Sequence, residues 1–66
     1  MNVVVNGQPA AVPDGITVAT LLELNSLADR ACAVEVNRQL VPRREHENHV
    51  IQDGDRVQLV TLVGGG

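Results

Sequence analysis

The chain has 66 residues, of which 44% are apolar and none is aromatic, and its formal net charge is −3. These values predict one small domain whose core is built from aliphatic side chains. A single cysteine excludes a disulfide framework and a cysteine-ligated iron–sulfur cluster. The negative charge and the lack of stacking aromatics argue against nucleic-acid binding.

The first predicted elements are two strands joined by a tight turn. Residues 3–5 are consecutive valines, which favour a strand. Asn6-Gly7 follows, a strong hairpin signal because both central positions of a type I′ turn need positive φ. A return strand is expected over about residues 8–12, and Pro9 places it at a sheet edge because proline cannot donate to the ladder. Residues 13–15 predict the next turn.

A helix is predicted from about residue 18 to residue 25. Thr17 is suited to the N-cap because its hydroxyl can accept a free amide of the first turn. Ile16 and Leu21 stand at the spacing of a hydrophobic staple. Leu22 falls on the same helical face as Leu21, so this face is expected to cover a sheet.

A second strand pair is predicted after the helix. Residues 32–37 alternate, with Val34 and Val36 pointing inward. Asn37-Arg38 predicts a turn, and residues 39–41 predict a short partner strand that ends before Pro42.

The last third of the chain is predicted to bring one more strand into the sheet. Residues 43–49 are polar and predict a helical turn on the surface, after which residues 50–51 return two apolar side chains to the core. Asp53-Gly54-Asp55 predicts a turn into a final strand over residues 56–63.

Together these elements predict an α+β fold of the β-grasp, or ubiquitin-like, type, with a domain over residues 1–63. Residues 3–5 and 59–63 are apolar on both faces, which suits strands inside a sheet. If they are neighbours they must run parallel, giving a mixed sheet with one helix packed across one face.

The open face of this sheet is predicted to bind partner proteins, because exposed apolar patches usually mark docking surfaces. Val60 and Leu62 are the predicted contacts. The final strand is apolar on both faces, so Leu59, Thr61 and Val63 could take these roles instead.

The chain ends in Gly64-Gly65-Gly66, which predicts a flexible tail over residues 64–66. A glycine run does nothing for the fold, but a main chain without Cβ atoms can enter a narrow tunnel and present its carboxylate there. This predicts a protein whose own C-terminus is the substrate of an enzyme. A disordered tail or a cloning scar is the alternative interpretation. A binding module and a ubiquitin-like modifier that conjugates to lysines also remain open.

Other chemically capable side chains have structural interpretations. Cys32 is expected to pack as a small apolar residue rather than to react. His46 and His49 could share a helical face, but two histidines lack further metal ligands, so a solvated turn is preferred. Asp53 and Asp55 flank a turn glycine, and the turn explains them.

In this order, the segments resemble the ThiS family of bacterial sulfur carriers of thiamin biosynthesis. The resemblance covers essentially the whole chain. It is carried by the opening valines with Asn6-Gly7, Gly15-Ile16-Thr17-Val18 before Leu21-Leu22, Ala33-Val34-Glu35-Val36-Asn37 with Val41-Pro42-Arg43, Ile51-Gln52-Asp53-Gly54-Asp55, and the terminal Val63-Gly64-Gly65-Gly66.

The resemblance implies a carrier that holds sulfur as a C-terminal thiocarboxylate on Gly66, or on Gly65 if the third glycine is not native. An E1-like enzyme, ThiF in this family, would adenylate the carboxylate. A persulfide derived from cysteine would then supply sulfur, and the carrier would deliver it to the thiazole synthase ThiG. Gly64 and Gly65 would contact these partners.

The resemblance also implies that the chain is a co-substrate and not an enzyme. ATP and magnesium would belong to the activating enzyme, since the chain has no glycine-rich phosphate loop between a strand and a helix. A monomer with transient complexes is expected. The closest alternative is a carrier for another pathway, similar to the small subunit of molybdopterin synthase. No cationic leader or membrane-length apolar stretch is present in the sequence, so we expect a cytoplasmic protein that does not bind membranes.

Overall fold

The structure is a computed structural model that describes residues 1–62. Within this range the chain forms a five-stranded mixed sheet, one α-helix and one short 3₁₀ turn. The strands are β1 (Asn2–Val5), β2 (Gln8–Ala11), β3 (Cys32–Val36), β4 (Gln39–Val41) and β5 (Arg56–Thr61). The helix α1 covers Val18–Leu24, and the 3₁₀ turn covers Arg43–Glu45.

The strand order across the sheet is β2-β1-β5-β3-β4, so β5 lies at the centre. It runs parallel to β1, with Val5 opposite Val57, and antiparallel to β3, with Val34 opposite Leu59. The outer neighbours are antiparallel hairpins, and β2, which contains Pro9, is an edge strand as predicted. With α1 packed across one face, this is the predicted β-grasp fold.

The two ends of α1 are set by local capping. Thr17 has extended backbone angles, φ −95° and ψ 166°, and its hydroxyl accepts the backbone N–H of Thr20 at 3.3 Å, which confirms the predicted N-cap. After the helix, Ser26 takes a positive φ of 59°. The N–H of Leu27 then donates to the Leu22 carbonyl at 2.8 Å, closing a Schellman-type end that satisfies free carbonyls.

The core lies between α1 and the sheet face that it covers. Its buried aliphatic side chains come from the helix, the strands and the connecting loops: Val3, Val12, Ile16, Val18, Leu21, Leu22, Val34, Val36, Val41, Ile51, Val57 and Leu59. The inward positions predicted for β3, Val34 and Val36, are both in this set.

The chain from residue 50 onward differs from prediction in two details. Ile51 is buried, but Val50 is exposed, because adjacent residues of an extended segment point in opposite directions and only one can face the core. Strand β5 ends at Thr61 rather than at residue 63, although the N–H of Leu62 still donates to the Ala31 carbonyl at 2.8 Å. Val63 lies outside the described residues.

No helix within residues 1–62 has both the length and the apolar character needed to cross a membrane.

Candidate functional site

The final strand places its side chains alternately on the two faces of the sheet. Val57 and Leu59 are buried under α1, whereas Val60 is 50% exposed. Leu62 is 57% exposed and continues the alternation beyond the strand end. The open choice between the two faces is thereby resolved: Leu59 belongs to the core, and Val60 and Leu62 lie on the outer face, away from α1. Thr61 is also exposed, at the end of the strand.

Other apolar side chains share this outer face. Val60 lies directly opposite Ala33 of β3, which is half-buried. Leu40 of β4 is opposite Glu35 and is 65% exposed. We call Ala33, Leu40, Val60 and Leu62 the outer patch. Exposed leucine and valine side chains on one uncovered sheet face are the kind of surface that binds another protein.

The part of β5 that carries Val60 is held from both sides. On one side it pairs with β3 up to Thr61. On the other side β1 has already ended, and the side-chain Oδ1 of Asn6 accepts the Leu59 N–H at 2.7 Å. Sequence reasoning assigned Asn6 to the hairpin turn alone and missed this bond, because it joins residues 53 positions apart.

The predicted reactive end of the chain follows this segment. Gly66 is the predicted site of adenylation and thiocarboxylate formation, and Gly64 and Gly65 are the predicted tail contacts. All three lie outside the described residues, so these assignments stay predictions. The last described residue before them, Leu62, lies on the outer face and belongs to the outer patch.

The acidic turn before β5 has a structural role, as predicted. Oδ1 of Asp53 accepts the backbone N–H of Asn2 at 2.8 Å. Asp55 uses one carboxylate oxygen for the N–H of Gln52 at 2.8 Å and the other for the side chain of Asn37 at 3.0 Å. Both carboxylates therefore fix the entry into β5.

The polar segment after β4 differs from the predicted solvated turn. His46 is only 7% exposed, and its Nε2 lies 3.0 Å from the carbonyl oxygen of Val41. Since a carbonyl oxygen only accepts, Nε2 carries the hydrogen. His46 is a buried structural residue, whereas His49 is half-buried. Within residues 1–62, no group of three or more His, Cys, Asp or Glu side chains is arranged to hold a metal ion.

A cavity of about 240 Å³ lies beside α1, on the helix side of the sheet. Its wall includes Cys32, His46, Arg30 and Arg43. The half-buried Cys32 also packs against the core, which agrees with its predicted structural role. The outer patch lies on the opposite face of the sheet from this cavity.

A β-grasp domain that exposes an apolar sheet face beside a glycine-rich C-terminus defines the ubiquitin-like class of carrier and modifier proteins. Comparison with known proteins identifies the family within this class. The model of the ThiS family matches residues 3–66, and the chain belongs to the ThiS family.

Individual relatives agree with this assignment. The sulfur carrier protein ThiS of Escherichia coli is 35% identical over 66 residues, which is 100% of both chains. A thiazole synthase of Paramagnetospirillum magneticum is 33% identical over the whole of this chain, which corresponds to 20% of that longer protein. Among solved structures, the thiamine biosynthesis protein ThiS of Geobacter metallireducens superimposes with a TM-score of 0.85 at 32% identity, with 100% of each chain covered.

Proposed function

We propose that this protein carries sulfur for the formation of the thiamin thiazole, as a thiocarboxylate on its C-terminal Gly66. The observation that supports this most strongly is the match to a named sulfur carrier over the full length of both chains, through the terminal residue. In this proposal the chain is a co-substrate that is modified by one enzyme and consumed by another.

The chemistry explains why an activating enzyme is required. A carboxylate is a poor electrophile because its leaving group would be oxide. An E1-like enzyme, ThiF in this family, would transfer AMP from ATP to the Gly66 carboxylate and release pyrophosphate. A persulfide sulfur would then attack the acyl carbon and displace AMP, and reduction of the resulting acyl disulfide would leave the thiocarboxylate. In this proposal the activating enzyme, and not the carrier, uses ATP and magnesium, and the reaction takes place in the cytoplasm.

The thiazole synthase ThiG is the proposed acceptor of the sulfur. Support comes from two proteins named thiazole synthase. Each matches the whole of this chain, and the match covers 20% of its own length. In those proteins a carrier-like segment and the rest of the synthase belong to one polypeptide. A separate carrier of the same family would have to bind its synthase through a surface.

The outer patch is the proposed contact surface for both partners. It lies on the uncovered face of the sheet, and Val60 and Leu62 are the patch residues nearest in sequence to the glycine tail. A partner that covers this patch would bury apolar area and align the tail with its active site at the same time.

Intact mass measurement tests the proposal. The chain lacks Trp and Tyr, so absorbance is a poor readout and mass is the practical one. After incubation with the E1-like enzyme, ATP, a persulfide donor and a reductant, the expected gain equals one oxygen replaced by sulfur. Deletion of Gly66 should abolish the gain if Gly66 is the reactive residue, and leave it intact if Gly65 can serve.

An unchanged mass with a demonstrably active enzyme would contradict the proposal. Incubation of the thiocarboxylate form with ThiG and its small-molecule substrates gives the second readout. Loss of the added sulfur together with thiazole formation is expected. A stable thiocarboxylate in the presence of active ThiG would instead favour a carrier for another pathway.

A further inference from the structure

We propose that Asn6 is a positioning residue for docking of the carrier to its activating enzyme. Its side chain takes over the role of a backbone carbonyl and fixes the part of β5 that carries the outer patch and leads into the tail. The inference rests on the proposed function, because it concerns how that surface is presented to the enzyme.

The hydrogen bonds between β1 and β5 show where the side-chain oxygen of Asn6 replaces a backbone carbonyl oxygen. In this parallel pair the N–H of Val4 donates to the Asp55 carbonyl at 3.0 Å, and the N–H of Asn6 donates to the Val57 carbonyl at 2.9 Å. By the same two-residue step, the next bond would join the Leu59 N–H to the Asn6 carbonyl.

The hairpin prevents that next backbone bond. Asn6 takes a positive φ of 50° as the chain turns into the β1–β2 hairpin, so β1 ends at Val5. The side-chain Oδ1 of Asn6 occupies the acceptor position instead, 2.7 Å from the Leu59 nitrogen. Asparagine therefore meets two requirements here, because it tolerates the left-handed backbone and supplies an oxygen for the ladder.

The bond between Asn6 and Leu59 matters because little else holds the end of β5 on the side that faces β1. Beyond Val57 the pairing with β1 stops, while β5 continues to Thr61. Without the Asn6 oxygen, residues 59–62 would be held by their bonds to the β3 side alone. The enzyme would then have to order this segment on docking, and ordering even one or two residues costs binding free energy.

A matched residue lies at the opposite end of β5. Asn37 also takes a positive φ, 51°, in the β3–β4 hairpin. Its N–H donates to the Arg56 carbonyl at 2.8 Å, and its Oδ1 accepts the Arg56 N–H at 3.0 Å. The same device thus holds the start of β5, away from the tail, which makes Asn37 a control for general effects on the strand.

The test compares three variants as substrates in pyrophosphate exchange by the E1-like enzyme. Asn6→Gly keeps the turn conformation and removes only the acceptor. It is expected to raise the KM for the carrier about 5- to 30-fold, equivalent to about 1–2 kcal/mol, with kcat little changed. Asn6→Asp restores an oxygen at the same position and is expected to restore the low KM. Asn37→Gly is expected to leave the KM unchanged.

Several results would overturn the inference. An unchanged KM for Asn6→Gly would do so, and so would an equal rise for Asn37→Gly, since the effect would then follow general loss of stability. Failure of the unaltered chain to support exchange would instead reject the proposed function. Amide hydrogen exchange tests the positioning role without the enzyme: Asn6→Gly should speed exchange at Leu59–Leu62 selectively, and unchanged protection there would reject the role of Asn6.

Discussion

The Nε2 atom of His46 lies 3.0 Å from the carbonyl oxygen of Val41 and joins the middle of the polar segment, residues 43–49, to β4. His46 is buried, and this bond occupies one of its two ring nitrogens. Truncation to alanine would remove the donor of a buried carbonyl and leave a space beside the core. We expect His46→Ala to lower the free energy of unfolding by about 1–3 kcal/mol, measured by urea denaturation with far-UV circular dichroism.

His49 provides the control for this prediction. It lies in the same polar segment and is only half-buried, and no side-chain hydrogen bond of His49 is present within residues 1–62. His49→Ala is expected to change stability by no more than about 0.5 kcal/mol. Equal effects of the two substitutions would mean that the hydrogen bond to Val41 does not contribute measurably to the free energy of unfolding.

The difference in burial between His46 and His49 was not predictable from the sequence. The strands and the cap at Thr17 were predictable because turn residues and capping residues act locally. The parallel direction of β1 and β5 followed once the two strands were taken as neighbours, which their apolar character on both faces suggested. Burial of His46 depends on a contact with β4 that its own polar neighbours do not indicate. The sequence also did not determine which face of β5 is exposed, because a strand that is apolar on both faces does not show which face a helix will cover.

The same limit applies to the candidate site. The outer-face positions of Val60 and Leu62 agree with the sequence prediction, but the bond between Asn6 and Leu59 could not be foreseen from the turn pattern. The roles of Gly64, Gly65 and Gly66 stay predictions from the sequence and the family, because the described residues end at position 62.

The N-cap of α1 gives a second stability prediction. The hydroxyl of Thr17 accepts the Thr20 N–H, so Thr17→Ala leaves a first-turn amide without its partner. We expect a loss of about 0.5–2 kcal/mol in the free energy of unfolding. Thr17→Ser retains the hydroxyl and should lose much less. If serine and alanine were equally destabilising, the lost methyl group rather than the cap would be responsible.

The core prediction concerns the helix face that covers the sheet. Leu21 is fully buried, and Leu21→Ala should cost about 2–5 kcal/mol because it removes methyl groups and leaves a cavity. A chain of this length has a total stability of about 3–10 kcal/mol, so the substitution is expected to remove a large fraction of that stability. Denaturant titration would show this as a large fall in the transition midpoint.

Leu24 is the matched control because it makes the same chemical change on the same helix. Its side chain is 59% exposed, and Leu24→Ala should change the free energy of unfolding by about 0.5 kcal/mol or less. A loss as large as that of Leu21→Ala would contradict the assignment of the two helix faces.

The outer patch gives the last prediction, which concerns activity rather than stability. Val60→Asp places a charge at the centre of this apolar surface, next to Ala33 and close to the tail. An interface would have to bury that charge without a partner, so the KM for the carrier in the activation reaction should rise at least about tenfold. Because Val60 is half-exposed, the urea midpoint should change little.

Ala11→Asp controls for the charge itself. Ala11 is exposed on the same outer face, but it belongs to the edge strand β2 and pairs with Asn2 at the far end of the sheet. The Ala11→Asp variant should have the same KM in the activation reaction as the unaltered chain. If both variants were impaired equally, the added negative charge would be the cause. If neither were impaired, the activating enzyme would have to recognise the carrier through a surface other than the outer patch.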